Sequence, residues 1–117
     1  MLEDYRAPVG DDDRRKAGLA IHLVAVRTGA LPERMTARGR LDPLSLRARR
    51  MAMYLSHVAF GWTLERVGHV FGVNRATAGT ACRWAEDERD ARAVDDLMNQ
   101  LEACISGLYA AHAEPQT

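Results

Sequence analysis

Cysteine is scarce in this chain, with Cys82 and Cys104 the only two in 117 residues. Two thiols 22 positions apart give no disulfide framework. Neither joins the four histidines, at 22, 57, 69 and 112, in the spacing that a zinc site requires. Reduced, mostly buried thiols in a cytoplasmic protein account for them, and no cofactor or metal is expected. Long apolar runs are also missing. The longest, Gly18 to Val26, is broken by His22 and falls well short of the roughly eighteen residues of a membrane span. The opening Met1-Leu2-Glu3-Asp4-Tyr5 is acidic and lacks the basic start of a signal peptide. No segment alternates with period two, and no Asn-Gly or Asp-Gly hairpin signal occurs, which argues against a β-sheet. No Ser/His/Asp arrangement and no G-x-x-x-x-G-K-[ST] loop stands out, so the reading is that of a protein that is not an enzyme.

Net charge is absent as well, with 16 Lys+Arg against 16 Asp+Glu. The zero hides an uneven distribution. Residues 1–13 carry five acids and one base, 14–50 ten bases and two acids, 51–83 three bases and one acid, and 84–117 two bases and eight acids. A basic middle between acidic ends points to an anionic partner for the middle.

What is present is helical periodicity. Residues 1–13 read as a flexible acidic arm, and 14–111 as one helical domain with a tail at 112–117. The run Asp11-Asp12-Asp13 sits favourably before a helix from Arg14 to about Thr28, with Leu19, Leu23 and Val26 on its stripe, Ala20, Ile21 and Val24 beside it, and Gly29 as its end. Leu31-Pro32 continues the break into a basic connector, 33–41. Asp42 and Pro43 form a cap and first residue for a helix to about Ala59, which carries Arg47, Arg49 and Arg50. Thr63 caps a short helix, Gly72 turns, and Asn74 caps another to about Asp87. A last helix, about 90–110, bears Val94, Leu97, Leu101, Cys104 and Leu108 at steps of three and four, with Met98 and Ile105 alongside. The expected fold is all-α, with about five helices.

The stretch 63–87 has the spacing of a helix-turn-helix, with small Gly68 where the helices cross. In such a unit the first turns of the second helix face base edges in the major groove. Here they carry Asn74, Arg75, Ala76, Thr77 and Thr80, with Gly79 beside them. Arg can donate two hydrogen bonds to guanine and Asn can pair with adenine. Equally, Asn74 can be only a cap and Arg75 only a solvated first-turn residue.

Arg49-Arg50-Met51-Ala52-Met53-Tyr54-Leu55, the run Thr63 to Gly72, Asn74-Arg75-Ala76-Thr77, and Thr80-Ala81-Cys82-Arg83-Trp84-Ala85-Glu86 together resemble the C-terminal DNA-binding domain of the replication initiator DnaA. The likeness covers about residues 14–88. Without a P-loop it extends to the reader alone, as in small stand-alone alphaproteobacterial proteins of this type. The resemblance implies double-stranded DNA as partner, and a nucleoid-associated, cytoplasmic location. It gives base-reading roles to Arg75 and Thr77, and backbone or minor-groove roles to Arg38, Arg40, Arg47, Arg49, Arg50 and Thr63. The family follows its turn with Arg-Asp-His/Arg-Thr-Thr-Val. Here Val73 replaces the leading Arg, Asn74 the acid and Ala76 a Thr, so a target other than the DnaA box is expected.

The expected function is sequence-specific DNA binding in transcription regulation. A narrower form is activation of gene-transfer-agent or phage-like genes with a sigma-like partner. The alternative is a protein-binding adaptor that keeps the fold and regulates replication initiation or transcription through protein contacts. His57 and His69 are candidate phosphate-facing residues, and Trp62 a candidate exposed contact. The 90–110 helix either closes the domain over the first helix or pairs with a partner or a second copy.

Overall fold

The computed structural model describes residues 7–112, with side chains to Leu108. Of the expected arm and tail, residues 1–6 and 113–117 lie outside the described residues. The described chain is entirely helical: α1 Asp11–Thr28, α2 Pro32–Met35, α3 Pro43–Phe60, α4 Leu64–Phe71, α5 Arg75–Glu88 and α6 Arg92–His112. No helix among the described residues is long and apolar enough to cross a membrane.

The helix beyond the expected five is α2, a single turn. Pro32 stands at its start, where a fixed φ and a missing N–H suit the first helical residue, so the proline begins a turn instead of extending the break. The first helix also starts earlier than read. Asp11, Asp12 and Asp13 form its first turn, where carboxylates meet the positive end of the helix. Within residues 7–13, both Asp13 and Ala7 contact α4. Asp13 receives two hydrogen bonds from Arg66 on α4, at 3.2 and 2.6 Å, and these hold its carboxyl below the usual range. The His69 ring donates through Nε2 to the Ala7 carbonyl at 2.6 Å.

The central element is α3. Six consecutive residues, Met51 to Ser56, are buried, as expected of a helix covered on every side. Helices α1, α2, α4, α5 and α6 all lie against it. The small residues Ala17, Ala20, Val24 and Ala25 form the buried face of α1, while Leu19 and Leu23 are only half-buried and Val26 is 81% exposed. The face is thus rotated from the expected stripe, because small side chains allow close approach where leucine would hold the helices apart. In α6 the buried residues are Met98, Leu101 and Ile105, with Cys104 and Leu108 exposed. This helix packs chiefly on α3, and touches α1 through a 2.8 Å hydrogen bond from Arg27 to Gln100.

A polar hub ties α3, the end of α5 and α6 together. Arg89 pairs with Asp95 at 2.6 Å and Glu102 at 2.7 Å, and it donates to the Tyr54 hydroxyl at 3.1 Å. Tyr54 in turn donates to Glu86 at 2.7 Å. Burial, followed by the Glu86 hydrogen bond, pushes the Tyr54 hydroxyl up to about 12, which keeps it a donor.

The α4–α5 turn is the tightest point of the fold. Gly72 takes φ +72°, and the Val73 amide closes a 2.9 Å hydrogen bond to the Gly68 carbonyl in a Schellman-type turn. Gly68 packs directly on this turn, so a Cβ there would lie 2.6 Å from the Val73 carbonyl oxygen. Backbone cannot move aside as a flexible side chain can. Gly68→Ala therefore lowers stability by about 1–3 kcal/mol despite alanine's better helix propensity. Urea unfolding checks this, and an unchanged or raised midpoint would mean that the crossing relaxes freely.

Candidate nucleic-acid interface

Three side-chain caps begin the helices that build the site. Asp42 accepts from the Ser45 amide at 3.1 Å, Thr63 from the Arg66 amide at 3.2 Å, and Asn74 from the Thr77 amide at 2.7 Å. They fix where α3, α4 and α5 start. Thr63 and Asn74 are thereby engaged as caps, and both remain exposed.

Along α5 the two faces separate cleanly. Ala78, Gly79, Ala81, Cys82 and Ala85 are buried, while Arg75, Ala76, Thr77 and Thr80 are exposed. Gly79, expected beside the base-reading residues, instead turns inward to within 3.6 Å of Leu64 for an added Cβ. Thr80 accepts a 3.3 Å hydrogen bond from Arg83 one turn on. Arg75 forms an ion pair through its Nε with Glu65 Oε2 at 3.0 Å, a contact between the two helices of the unit. Sequence spacing gave no sign of Glu65, because nine intervening residues, a turn among them, separate the partners.

The arginines divide into two kinds. Arg47 pairs with Glu88 at 2.7 Å, and Arg47 and Arg50 lie over the Trp84 ring at 5.3 and 5.6 Å from its centroid. Arg49 donates through Nη2 to the Phe71 carbonyl at 3.0 Å, and burial lowers its pKa. It satisfies a carbonyl at the very end of α4 and so holds the turn from the α3 side. Arg38 and Arg40 are exposed on the connector beside Gly39, and neither has an ion-pair partner among the described residues. Of the expected backbone or minor-groove residues, then, Arg47, Arg49, Arg50 and Thr63 carry structural contacts of their own.

The recesses show which side chains share a surface. A small hollow of about 90 Å³ between α3 and α5 is lined by Leu46, Arg49, Arg50, Thr77 and Thr80, among others. Beside it, a larger cleft of about 580 Å³ has Arg38, Arg49, His69 and Val73 in its walls. A third, of about 500 Å³, runs along Gly39, Arg40, Leu46 and Arg49. Arg49 borders all three, so the connector, the middle of α3 and the exposed side of α5 meet around it. Arg47, held at Trp84 and Glu88, does not line these recesses.

Neither candidate phosphate-facing histidine has its whole ring available. His57 Nδ1 donates to the Trp62 carbonyl at 2.7 Å, as His69 Nε2 does to Ala7. Trp62, expected to be exposed, is 2% exposed, with its ring tilted against Phe60 at 5.2 Å between centroids and lying under Arg66. Cys82 is buried, and burial pushes its thiol up to about 11, which suits packing and not nucleophilic attack. Cys104 is exposed, against the expectation of buried thiols. No group of three or more His, Cys, Asp or Glu among the described residues is placed to hold a metal ion.

No protein-family model matches the chain, and no curated protein matches it. The site must therefore be read from its own geometry.

The two kinds of arginine make a test possible without any ligand. Arg49→Met keeps the apolar stem but leaves the Phe71 carbonyl without its donor, and it destabilises the protein by roughly 1–3 kcal/mol. Arg38→Ala, on the open connector, changes stability by no more than about 0.5 kcal/mol. Urea unfolding of both variants checks the division, and equal effects would contradict it.

Proposed function

We propose that this protein binds double-stranded DNA in a sequence-specific manner, through a DnaA-like helix-turn-helix, and acts as a regulator of transcription. The observation that carries the reading is the exposed start of α5. Arg75, Ala76, Thr77 and Thr80 stand clear of the fold, while the opposite face of the same helix is locked onto α3 and α4. A rigid helix with its first turns open is the form that enters a major groove. Its N-terminus also favours phosphate.

Charge supports the same reading. Arg50 lines the hollow that borders α5, Arg38 lines the cleft beside Val73 just before it, and Arg40 lies further along the connector, whereas Glu86, Asp87 and Glu88 sit at the far end of α5. An α-helix of 14 residues separates its ends by about 20 Å. DNA approaching the start of α5 would meet cations, and the acids would face away. In this reading Arg75 is the principal base reader, Thr77 and Thr80 contact base edges or adjacent phosphate, and Asn74 and Thr63 act first as caps. Arg38 and Arg40 reach the backbone or the minor groove. Arg49 contributes by holding the turn in place.

A protein-binding adaptor is favoured by a different observation: Arg47, Arg49, Arg66 and Arg75 each already have an intramolecular partner. Salt separates the two. A DNA binder that uses several arginine–phosphate contacts loses affinity steeply as salt rises, by a slope of about 0.9 per contact. An adaptor binds no duplex even at low salt.

At a site selected from random duplexes, Arg75→Ala costs roughly 1–3 kcal/mol and relaxes preference at one base pair. Equal loss on every sequence would remove its base-reading role. Arg40→Ala instead weakens binding to all duplexes alike and flattens the salt slope by about one.

A further inference from the structure

We infer that Glu65 is a positioning residue for base recognition: it holds Arg75 by Nε so that the outer edge of the guanidinium is presented to a guanine. The inference rests on the DNA-binding reading above and adds a specificity determinant outside the recognition helix.

The pair is badly placed to be a stability device. The side chains are 64% and 50% exposed, and exposed ion pairs add little to folding. Arg75 is moreover the first residue of α5, where a cation sits at the positive end of the helix and is disfavoured. Glu65 lies in the first turn of α4, where a carboxylate is favoured by that helix's own dipole. The acid is thus held by α4, and it draws to itself a cation that α5 alone would repel.

The atoms engaged define what remains. A guanidinium is a planar fork with five N–H donors. The closest approach of the ion pair is Nε to Glu65 Oε2, at 3.0 Å, so it is centred on the inner edge of the fork and not on its two terminal Nη groups. Two parallel donors are what guanine O6 and N7 accept. Glu65 also restricts the rotation of a long side chain before DNA arrives, which reduces the ordering needed on binding. Its charge has a second effect, opposing phosphate wherever Arg75 finds no guanine.

The test compares wild-type, Glu65→Ala, Glu65→Gln, Arg75→Ala and the double variant on a duplex selected by the wild type and on a scrambled duplex. Glu65→Ala is expected to lower the ratio of selected to scrambled affinity about tenfold, with the loss confined to the base pair that Arg75→Ala relaxes. Glu65→Gln, whose amide oxygen can still accept from Nε, is expected to retain most of that ratio. In the double variant the ratio is no lower than in Arg75→Ala alone. If Glu65→Ala merely raises affinity for both duplexes equally, the residue is only a repulsive charge and the inference is overturned. The same holds if Glu65→Gln loses the ratio as fully as Glu65→Ala. A wild-type protein that binds no duplex at low salt overturns the DNA-binding reading itself, an outcome separate from the other two. Unchanged thermal melting of the variants shows that the fold is intact in each comparison.

Discussion

The close passage of the Val73 carbonyl over Gly68 is the constraint on which the rest of this structure depends. At 2.6 Å from where a Cβ would stand, that oxygen admits no side chain, so α4 and α5 meet at the shortest distance the backbone allows. The approach fixes the turn, and the turn fixes Asn74 as the cap from which α5 departs. Arg49 reinforces it from α3 by satisfying the Phe71 carbonyl. The exposed residues of α5 are therefore held at a set angle by backbone contacts, and their own side chains are left without a packing role.

Around this crossing, charge is sorted by position. The Arg89 hub gathers Asp95, Glu102, Glu86 and Tyr54 at the junction of α3, α5 and α6, which fastens α6 while occupying several acids of the C-terminal segment. Toward the other end of α5, Arg50 of α3 lines the hollow beside Thr77 and Thr80, and Arg38 of the connector lines the cleft beside Val73. A chain with no net charge thus presents two ends of opposite character. For a proposed DNA binder this matters more than the total, because screening limits electrostatic attraction to about 10 Å at ordinary salt and makes local charge decisive.

Much of the fold was legible because caps and breakers are local chemistry. Asp42-Pro43, Thr63, Gly72 and Asn74 each act within three or four residues, and each stands where its local role required. The burial of α1 was less legible. A face made of Ala17, Ala20 and Ala25 carries a weak hydrophobic signal, and Val26 competes with it in the sequence while pointing to solvent. Trp62 was misread for a similar reason, since its burial depends on Met53 and Phe60 of α3 meeting Arg66 of α4. At the site, exposure of Arg75, Thr77 and Thr80 followed from helical spacing around the buried Ala78 and Ala81. What spacing could not reveal were contacts across elements, namely Glu65 with Arg75, Arg49 with Phe71, Arg47 with Glu88, and Asp13 with Arg66.

The central claim is that the exposed start of α5 and the basic connector form one DNA-binding surface. Titration of the isotopically labelled protein with its selected duplex, followed by amide chemical shifts, tests this most directly. The account predicts the largest changes at Asn74 to Thr80, Arg38 to Arg40 and the Arg50 region of α3, with the exposed face of α6 unmoved. Changes concentrated on α6, or none at any residue at low salt, would contradict it.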